Sequence, residues 1–441
     1  VSEKSTKLGK NYWRLWTAHA TSNLGDGLAT VAFPWLASAV TRDPFLIALI
    51  AVMSRLPWLI FTLPAGVITD RFDRKKIIVA MDVIQGGLAL LLAGAIFFER
   101  NSLPALNNLT SASMVETNYL LYWSLIGISL LFGFAEVLRD NASQTFLPSV
   151  VTKENLESAN GKLWSAEYVM NSFIGPPLAS FLLGILVYLP FFIHSATFFV
   201  AAGLITLIAT IPKPETDNTP KEKINFRVEI KEGFNWLWSH SLLRPMAIIL
   251  GTLNLVGSIT AATFILFAQE ILETSVFEFA ILGTSGAIGG TLGGILGPKI
   301  SKKLGSGPSL YLTLISMPLL SLIIGLTSNW YIVWVMIAAN TVFAVLWNVI
   351  TVSLRQSIIP SHLLGRVNSV YRFFAWGSMP IGTLIGGAIV SLTQLLGNRE
   401  LALRMPYFFS LVLGLVIFAF AAPRLTTEKI EMARAEGQPL S

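Results

Sequence analysis

Six ionisable residues, Asp26, Arg55, Glu136, Arg139, Glu167 and Arg372, stand inside apolar runs long enough to cross a bilayer. A charge at the centre of a membrane helix costs about 2.5–3.5 kcal/mol on insertion scales, so each needs a partner or a task. The chemistry open to carboxylates and guanidinium groups there is proton uptake and release, or the holding of a charged solute. At 1.5 Å per residue, Asp26 lies about 18 Å from the outer end of the first run and Arg55 about 15 Å from that of the second. The matched depths predict a direct Asp26–Arg55 pair, which serves either as a strut between adjacent helices or as a proton- or substrate-binding pair. Glu136 and Arg139, three residues apart, can pair along one face of the fourth run, while Glu167 enters the fifth and Arg372 the eleventh at similar depth. These four either line the inner half of a cavity or form a packed ion-pair network at an inner gate.

A second cluster is the stretch from Gly66 to Lys76, which contains Asp70, Arg71, Asp73, Arg74 and Lys75. It falls between two runs, Phe45 to Ile68 and Ile77 to Phe98, each with roughly the 20 apolar residues that span about 30 Å of hydrocarbon. The cluster is therefore a short hairpin at a membrane surface.

The elements that hold these residues follow from the whole chain. Hydrophobic residues make up 53% of the 441 and charged ones 13%, which a soluble domain could not cover with polar surface. Twelve spans are expected, near 13–40, 45–68, 77–98, 119–143, 161–186, 189–211, 244–270, 277–298, 308–327, 330–354, 366–392 and 404–422. The first run is too long for the core of a cleavable leader, so it is expected to stay as a span. Of the 31 Lys and Arg, 25 fall on the side that carries both termini, which makes the termini cytoplasmic. The net charge of +6 is thus a topology signal, and scattered basic residues give no nucleic-acid groove.

The polar stretch 212–243 divides the chain into residues 1–211 and 244–441, six spans each. Its first part is rich in Pro and polar residues, and Phe226, Ile230, Phe234 and Leu237 then recur at helical spacing, as in a helix lying on the cytoplasmic face. The halves repeat: Gln144 and Pro148, Asn160 and Pro176 correspond to Gln356 and Pro360, Asn368 and Pro380. The expected fold is an all-α membrane protein of two pseudo-symmetric six-helix bundles, with substrate between them near the midplane.

Other candidates carry less. His194 is expected as an interfacial hydrogen bonder. Asn171, Asn254, Asn340 and Asn348 suit interhelical hydrogen bonds, and the two rows Gly286, Gly290, Gly294 and Gly289, Gly293, Gly297 suit close helix packing. Asn108-Leu109-Thr110 matches a glycosylation sequon, but so does Asn141-Ala142-Ser143, which should be cytoplasmic. No nucleotide-binding loop, nucleophile elbow or zinc motif occurs, and with zero cysteines and four scattered His there is no basis for a cofactor, a metal or an enzyme.

The turn from Gly66 to Lys76 resembles the signature loop of the major facilitator superfamily, glycine followed by aspartate-arginine and a basic cluster. More narrowly, Asn23-Leu-Gly-Asp26-Gly27, Asp70-Arg-Phe-Asp73-Arg-Lys-Lys76 and Leu364-Gly-Arg-Val-Asn368-Ser resemble the branch that contains bacterial macrolide-efflux proteins and the enterobactin exporter. Two positions depart from the family pattern: Asp73 stands where most members have a second glycine, and Gly175-Pro176 is followed by Ala179-Ser180 instead of two glycines. The resemblance implies that Asp70 caps the start of the eleventh span near Arg366 and Val367, that Arg74 completes a relay with Asp70 and Asp140, and that this cluster locks an outward-open state. The alternative is that these charges only set topology.

Without a nucleotide motif, transport must draw on a gradient. The expected function is a proton-coupled secondary exporter of amphipathic small molecules, drug-like compounds or siderophores, working by alternating access in the cytoplasmic (inner) membrane as a monomer. Its partners would be substrate, protons and lipids. A lipid or lysolipid flippase on the same fold and a non-transporting membrane sensor are the alternatives.

Overall fold

A computed structural model describes residues 8–104, 109, 116–152, 155–209, 226–360 and 363–437, and every regular element among them is helical. The sequon at Asn108, the Pro-rich part of the central stretch and the side chain of Asp70 lie outside what is described. A chain in hydrocarbon must satisfy its backbone groups within each segment, which helices do.

Among the described residues, ten helical segments are long and apolar enough to cross a membrane: Arg74–Glu99, Tyr119–Ser149, Ser158–Ile185, Leu189–Thr206, Leu243–Glu270, Val276–Leu304, Ser306–Leu326, Trp330–Ile358, Arg366–Gln394 and Arg399–Ala421. The first two expected spans take other forms. Helix α1 (Lys10–Val40) is 31 residues long, but Thr17, His19, Thr21, Ser22, Asn23 and Asp26 dilute its apolar character. The second breaks at Phe61 into α2 (Pro44–Ile60) and α3 (Thr62–Arg71). Pro64 has no N–H to give the Ile60 carbonyl, which accounts for the break.

The chain divides into two compact units. Unit 1 comprises Val1–Arg42, Ile50–Asn218 and Glu273–Thr284; unit 2 comprises Asp43–Leu49, Thr219–Leu272 and Ser285–Ser441. In unit 1, α1 packs on α8 (Leu189–Thr206) and α7 (Gly175–Ile185), and α4 (Arg74–Glu99) lies between α8 and α5 (Tyr119–Phe146). Tyr12, Leu15, Ile78, Phe146 and Ile205 form its apolar core. Between α6 (Leu156–Tyr168) and α7 the chain makes a π-helical turn, Val169–Ile174.

After the short segment Asp43–Leu49, unit 2 resumes with α9 (Phe226–Ser239), the amphipathic helix expected from the sequence, whose Leu237 is fully buried. It continues through α10 (Leu243–Ala261), α11 (Phe264–Glu270), α12 (Val276–Leu304), α13 (Ser306–Leu326), α14 (Trp330–Ile358), α15 (Leu364–Gln394), α16 (Arg399–Ala421) and α17 (Thr427–Gly437). Helix α15 packs on α10, α16 and α9, and the core is built on Met246, Trp347, Leu354, Val367 and Tyr371. Side-chain caps start several helices: for example, Asp73 accepts from Lys76 N, Asn118 from Leu121 N, Asn329 from Tyr331 N and Asn398 from Leu401 N. Each satisfies a backbone donor that the helix itself cannot.

Candidate functional site

Asp26 sits on α1 between Gly25 and Gly27, and the two glycines set its surroundings. A Cβ on Gly25 would meet Thr197 Oγ1 and lie 2.8 Å from His194 Cδ2, both on α8; one on Gly27 would lie 2.7 Å from the Met170 carbonyl in the π-helical turn. Gly175, just past that turn, faces Gly27 in return: its Cβ would lie 2.6 Å from Gly27 C. Only glycine permits backbones so close.

This approach brings Asp26 Oδ1 to 3.9 Å from His194 Nε2. The Asp26 side chain keeps 36% of its exposure and that of His194 only 2%, so the carboxylate is reachable from outside the helix packing while the imidazole is sealed. Phe33, Phe132 and Phe198 surround the His194 ring with centroids at 6.3, 5.4 and 5.1 Å, and neither ring nitrogen has a hydrogen-bond partner. His194 is therefore a buried neighbour of Asp26, which corrects the expectation of an interfacial hydrogen bonder.

A buried ion pair of unit 1 joins two residues that sequence reasoning does not pair. Asp82 on α4 is fully buried and accepts from Arg139 Nε of α5, while Arg139 Nη2 donates to Ser22 Oγ of α1 at 2.6 Å. The guanidinium carbon also lies 5.8 Å from the centre of the Phe198 ring. Arg139 thus ties α1, α4, α5 and α8 together. Two buried acceptors of α4, Asp82 Oδ2 and Gln85 Oε1, have no hydrogen-bond partner among the described residues.

The expected pairs are redistributed. The Asp26–Arg55 pair is not formed: Arg55 is exposed and acts on Glu136. The charged groups acting most on Asp26 are Arg139, Glu136, Asp82 and Glu167. Glu136 and Arg139 do not pair along α5, because Arg139 turns to Asp82. Glu167 is half exposed, 3.6 Å from His19 Nε2 of α1. Arg372, in unit 2, is exposed and stacks over Trp376 at 4.9 Å.

Three loop residues, Asp73, Arg74 and Lys75, bond to helix ends. Asp73, the departure from the family pattern, is the N-cap of α4. Arg74 Nη1 donates to the Thr145 carbonyl at 3.0 Å, near the end of α5, and Lys75 Nζ donates to the Thr206 and Ile208 carbonyls at 2.9 and 2.7 Å, at the end of α8. Cations at C-terminal carbonyls suit the helix dipole. Gly66 has nothing within 4 Å of where a Cβ would stand, and Arg71 is exposed. Asp140 accepts from Gln144 Nε2 at 2.9 Å, and Arg366 pairs with Glu232 of α9.

Asp82 and His19 are residues that sequence reasoning passed over. The signal for Asp82 was present: it lies about 12 Å from the start of α4 and Arg139 about 10 Å from the end of α5, taking 1.5 Å per residue. The same matching of depths that proposed Asp26–Arg55 would have paired these two. For Asn254 the expectation of interhelical bonding holds, since its Nδ2 donates to the Ala375 carbonyl of α15 at 2.7 Å.

Among known families, the one described as transmembrane secretion effector matches residues 8–440. The chain is 24% identical to the multidrug efflux pump Tap of Mycolicibacterium fortuitum over 92% of this chain and 94% of that protein. It is 22% identical to macrolide efflux protein A of Streptococcus pyogenes over 87% and 90%, and 23% identical to the enterobactin exporter EntS of Shigella boydii over 82% and 80%. In fold it is similar to a solved bacterial homologue of the iron transporter ferroportin in an inward-facing state, with a TM-score of 0.64 and 14% identity over 94% of this chain and all of that one.

Proposed function

The chain belongs to the transmembrane secretion effector family of major facilitator transporters, a membrane transporter and not an enzyme, and from that premise we propose a proton-coupled exporter of amphipathic small molecules. The relatives named for multidrug, macrolide and siderophore efflux support the substrate class. In this reading twelve spans form two six-helix halves, the termini face the cytoplasm, and a monomer in the inner membrane alternates access by rocking of the halves.

The observation that carries the proposal is the Asp26 site. A carboxylate in an apolar unit, partly reachable and 3.9 Å from a sealed imidazole, is placed to take up and release a proton, while the Asp82–Arg139 pair beside it supplies a fixed charge pattern. Arg139 acts on both carboxylates, so protonation of Asp26 changes the balance felt by the residue that ties four helices together. That gives proton uptake a route to helix movement. The clasps made by Arg74 and Lys75 would hold helix ends together in one state of the cycle.

The test is drug efflux from proteoliposomes under an imposed pH gradient, with wild type and Asp26→Asn. The variant is expected to fold and bind substrate but to lose pH-driven flux. Flux with wild-type pH dependence in Asp26→Asn would remove the proton role. Lipid redistribution without drug flux would assign a flippase, and binding without any flux a sensor.

A further inference from the structure

A second group of unsatisfied polar atoms lies in unit 2, within its core on α14 and α15. Trp347 and Thr351 are one turn apart on α14, 2% and 0% exposed, and neither indole Nε1 nor hydroxyl Oγ1 has a hydrogen-bond partner. Tyr371 on α15 is 1% exposed, and its hydroxyl is likewise unpartnered. One turn beyond Thr351, Arg355 lays its guanidinium carbon 4.0 Å from the centre of the Tyr371 ring.

The hydrogen bonds of Arg355 are weak for a charged donor. Nη1 reaches Asn368 Oδ1 at 3.3 Å and Nε the Thr351 carbonyl at 3.4 Å, whereas charged donors with good partners stand nearer 2.8 Å. A guanidinium has five N–H groups, so most of its capacity is unspent. Neither α14 nor α15 contains an Asp or Glu, and Arg355 forms no ion pair among the described residues.

The chemistry of this group is one-sided. Guanidinium and indole can only donate, and the phenol and hydroxyl donate readily. Long side chains on a helix lean toward its N-terminus, so Arg355 reaches back over Thr351, toward the other donors. Several unspent buried donors, beside a partly buried positive charge that no carboxylate balances, call for an acceptor that carries negative charge. We propose that α14 and α15 hold an oxyanion-binding site, in which Arg355 takes a carboxylate or phosphate group with Tyr371 and Thr351 donating and Trp347 one turn deeper. The oxyanion is either free in solution or the headgroup of an anionic lipid, and both share the same recognition chemistry.

The full-length protein, in nanodiscs of phosphatidylcholine, is titrated with inorganic phosphate while the thermal midpoint and the indole 15N resonances are followed. Trp347 is assigned by Trp347→Phe. A saturable rise in midpoint with movement of the Trp347 resonance is expected. Arg355→Gln should abolish both, and Tyr371→Phe should weaken binding about fivefold, the worth of one hydrogen bond. Arg404→Gln, a cation of the same unit paired with Glu400, should leave the response intact. If Arg355→Gln does not fold, Tyr371→Phe and Thr351→Val carry the comparison. Discs containing phosphatidylglycerol and no phosphate identify the lipid source if they produce the same resonance shift. No saturable response to either anion, or a response that survives the Arg355, Tyr371 and Thr351 substitutions, overturns the site.

Discussion

In unit 1, fully buried Asp82 is matched to Arg139, and the buried atoms left over on the same helix, Asp82 Oδ2 and Gln85 Oε1, are acceptors. In unit 2, α10, α13, α14 and α15 contain no carboxylate, and the atoms left over near Arg355 are the Trp347 indole, the Thr351 hydroxyl and the Tyr371 phenol. The repeat in the sequence sharpens this contrast. Arg139 stands five residues before Gln144, and Thr351 five before Gln356, so one position of the repeat carries the central cation of unit 1 and a bare hydroxyl in unit 2. The proton proposed in unit 1 and the oxyanion proposed in unit 2 follow this contrast.

The largest expected effect tests the matched pair. Asp82→Ala strands Arg139 in a low-dielectric interior, which costs about 3–5 kcal/mol when one partner of a buried pair is removed. The double variant Asp82→Leu with Arg139→Met strands nothing and should recover most of that loss. Arg355→Met, by contrast, breaks no carboxylate pair and should change the unfolding midpoint little. Thermal or denaturant unfolding in detergent measures all three. Equal losses for Asp82→Ala and Arg355→Met would end the distinction between the units.

The next effect is steric. Gly27→Ala and Gly175→Ala each force a Cβ against backbone, at about 1–3 kcal/mol for overpacking, and Gly27→Ala should also move Asp26 away from His194. On α12 the two glycine rows differ. A Cβ on Gly289 would meet the Ala338 backbone, and one on Gly293 would lie 2.7 Å from Val345 Cβ, whereas Gly294 has open space. Gly294→Ala should therefore be tolerated while Gly289→Ala is not. Folded yield after size-exclusion chromatography separates the cases, and equal yields would show that these contacts relax at no cost.

Much of this was legible before the structure, and the parts that were not share a cause. Apolar runs, charge asymmetry and the Gly66–Lys76 motif identify a major facilitator transporter, because membrane insertion acts on composition one segment at a time. Pairing is different. Asp26 could be recognised as costly, but its neighbour is decided by rotation about the helix axis, which depth alone does not give; the glycines at 25 and 27 turned it to His194 and not to Arg55. The π-helical turn at Val169–Ile174 has no sequence signature beyond the nearby Gly175-Pro176. Asp82 was within reach, since a lone carboxylate in a span and an arginine at equal depth are both visible in the sequence.

A smaller effect concerns the loop. Asp73→Ala removes the N-cap of α4 and should cost about 1 kcal/mol, whereas Asp73→Asn keeps an acceptor and should cost little. If both variants lower the midpoint equally, the charge of Asp73 matters beyond its hydrogen bond to Lys76 N, and the loop has a role that capping does not supply.

The smallest expected effect lies at α9, where Glu232 pairs with Arg366 at the start of α15. Both side chains are more than a third exposed, or close to it, at 46% and 34%, so screening by solvent limits the pair to about 0.2–1 kcal/mol. Glu232→Gln should lower the midpoint by no more than that, and the difference from wild type should shrink as salt is raised. The helix should nonetheless stay docked. Its hold is apolar and steric: Leu237 is buried, Phe234 and Trp238 stack on each other and on Phe374, and Gly233 lies so close that a Cβ would sit 2.7 Å from the Arg366 carbonyl. Spin labels at Asn235 and Ser369 report the distance between α9 and α15. A broad distribution in Glu232→Gln at low salt would mean that the ion pair, and not the packing, fixes α9.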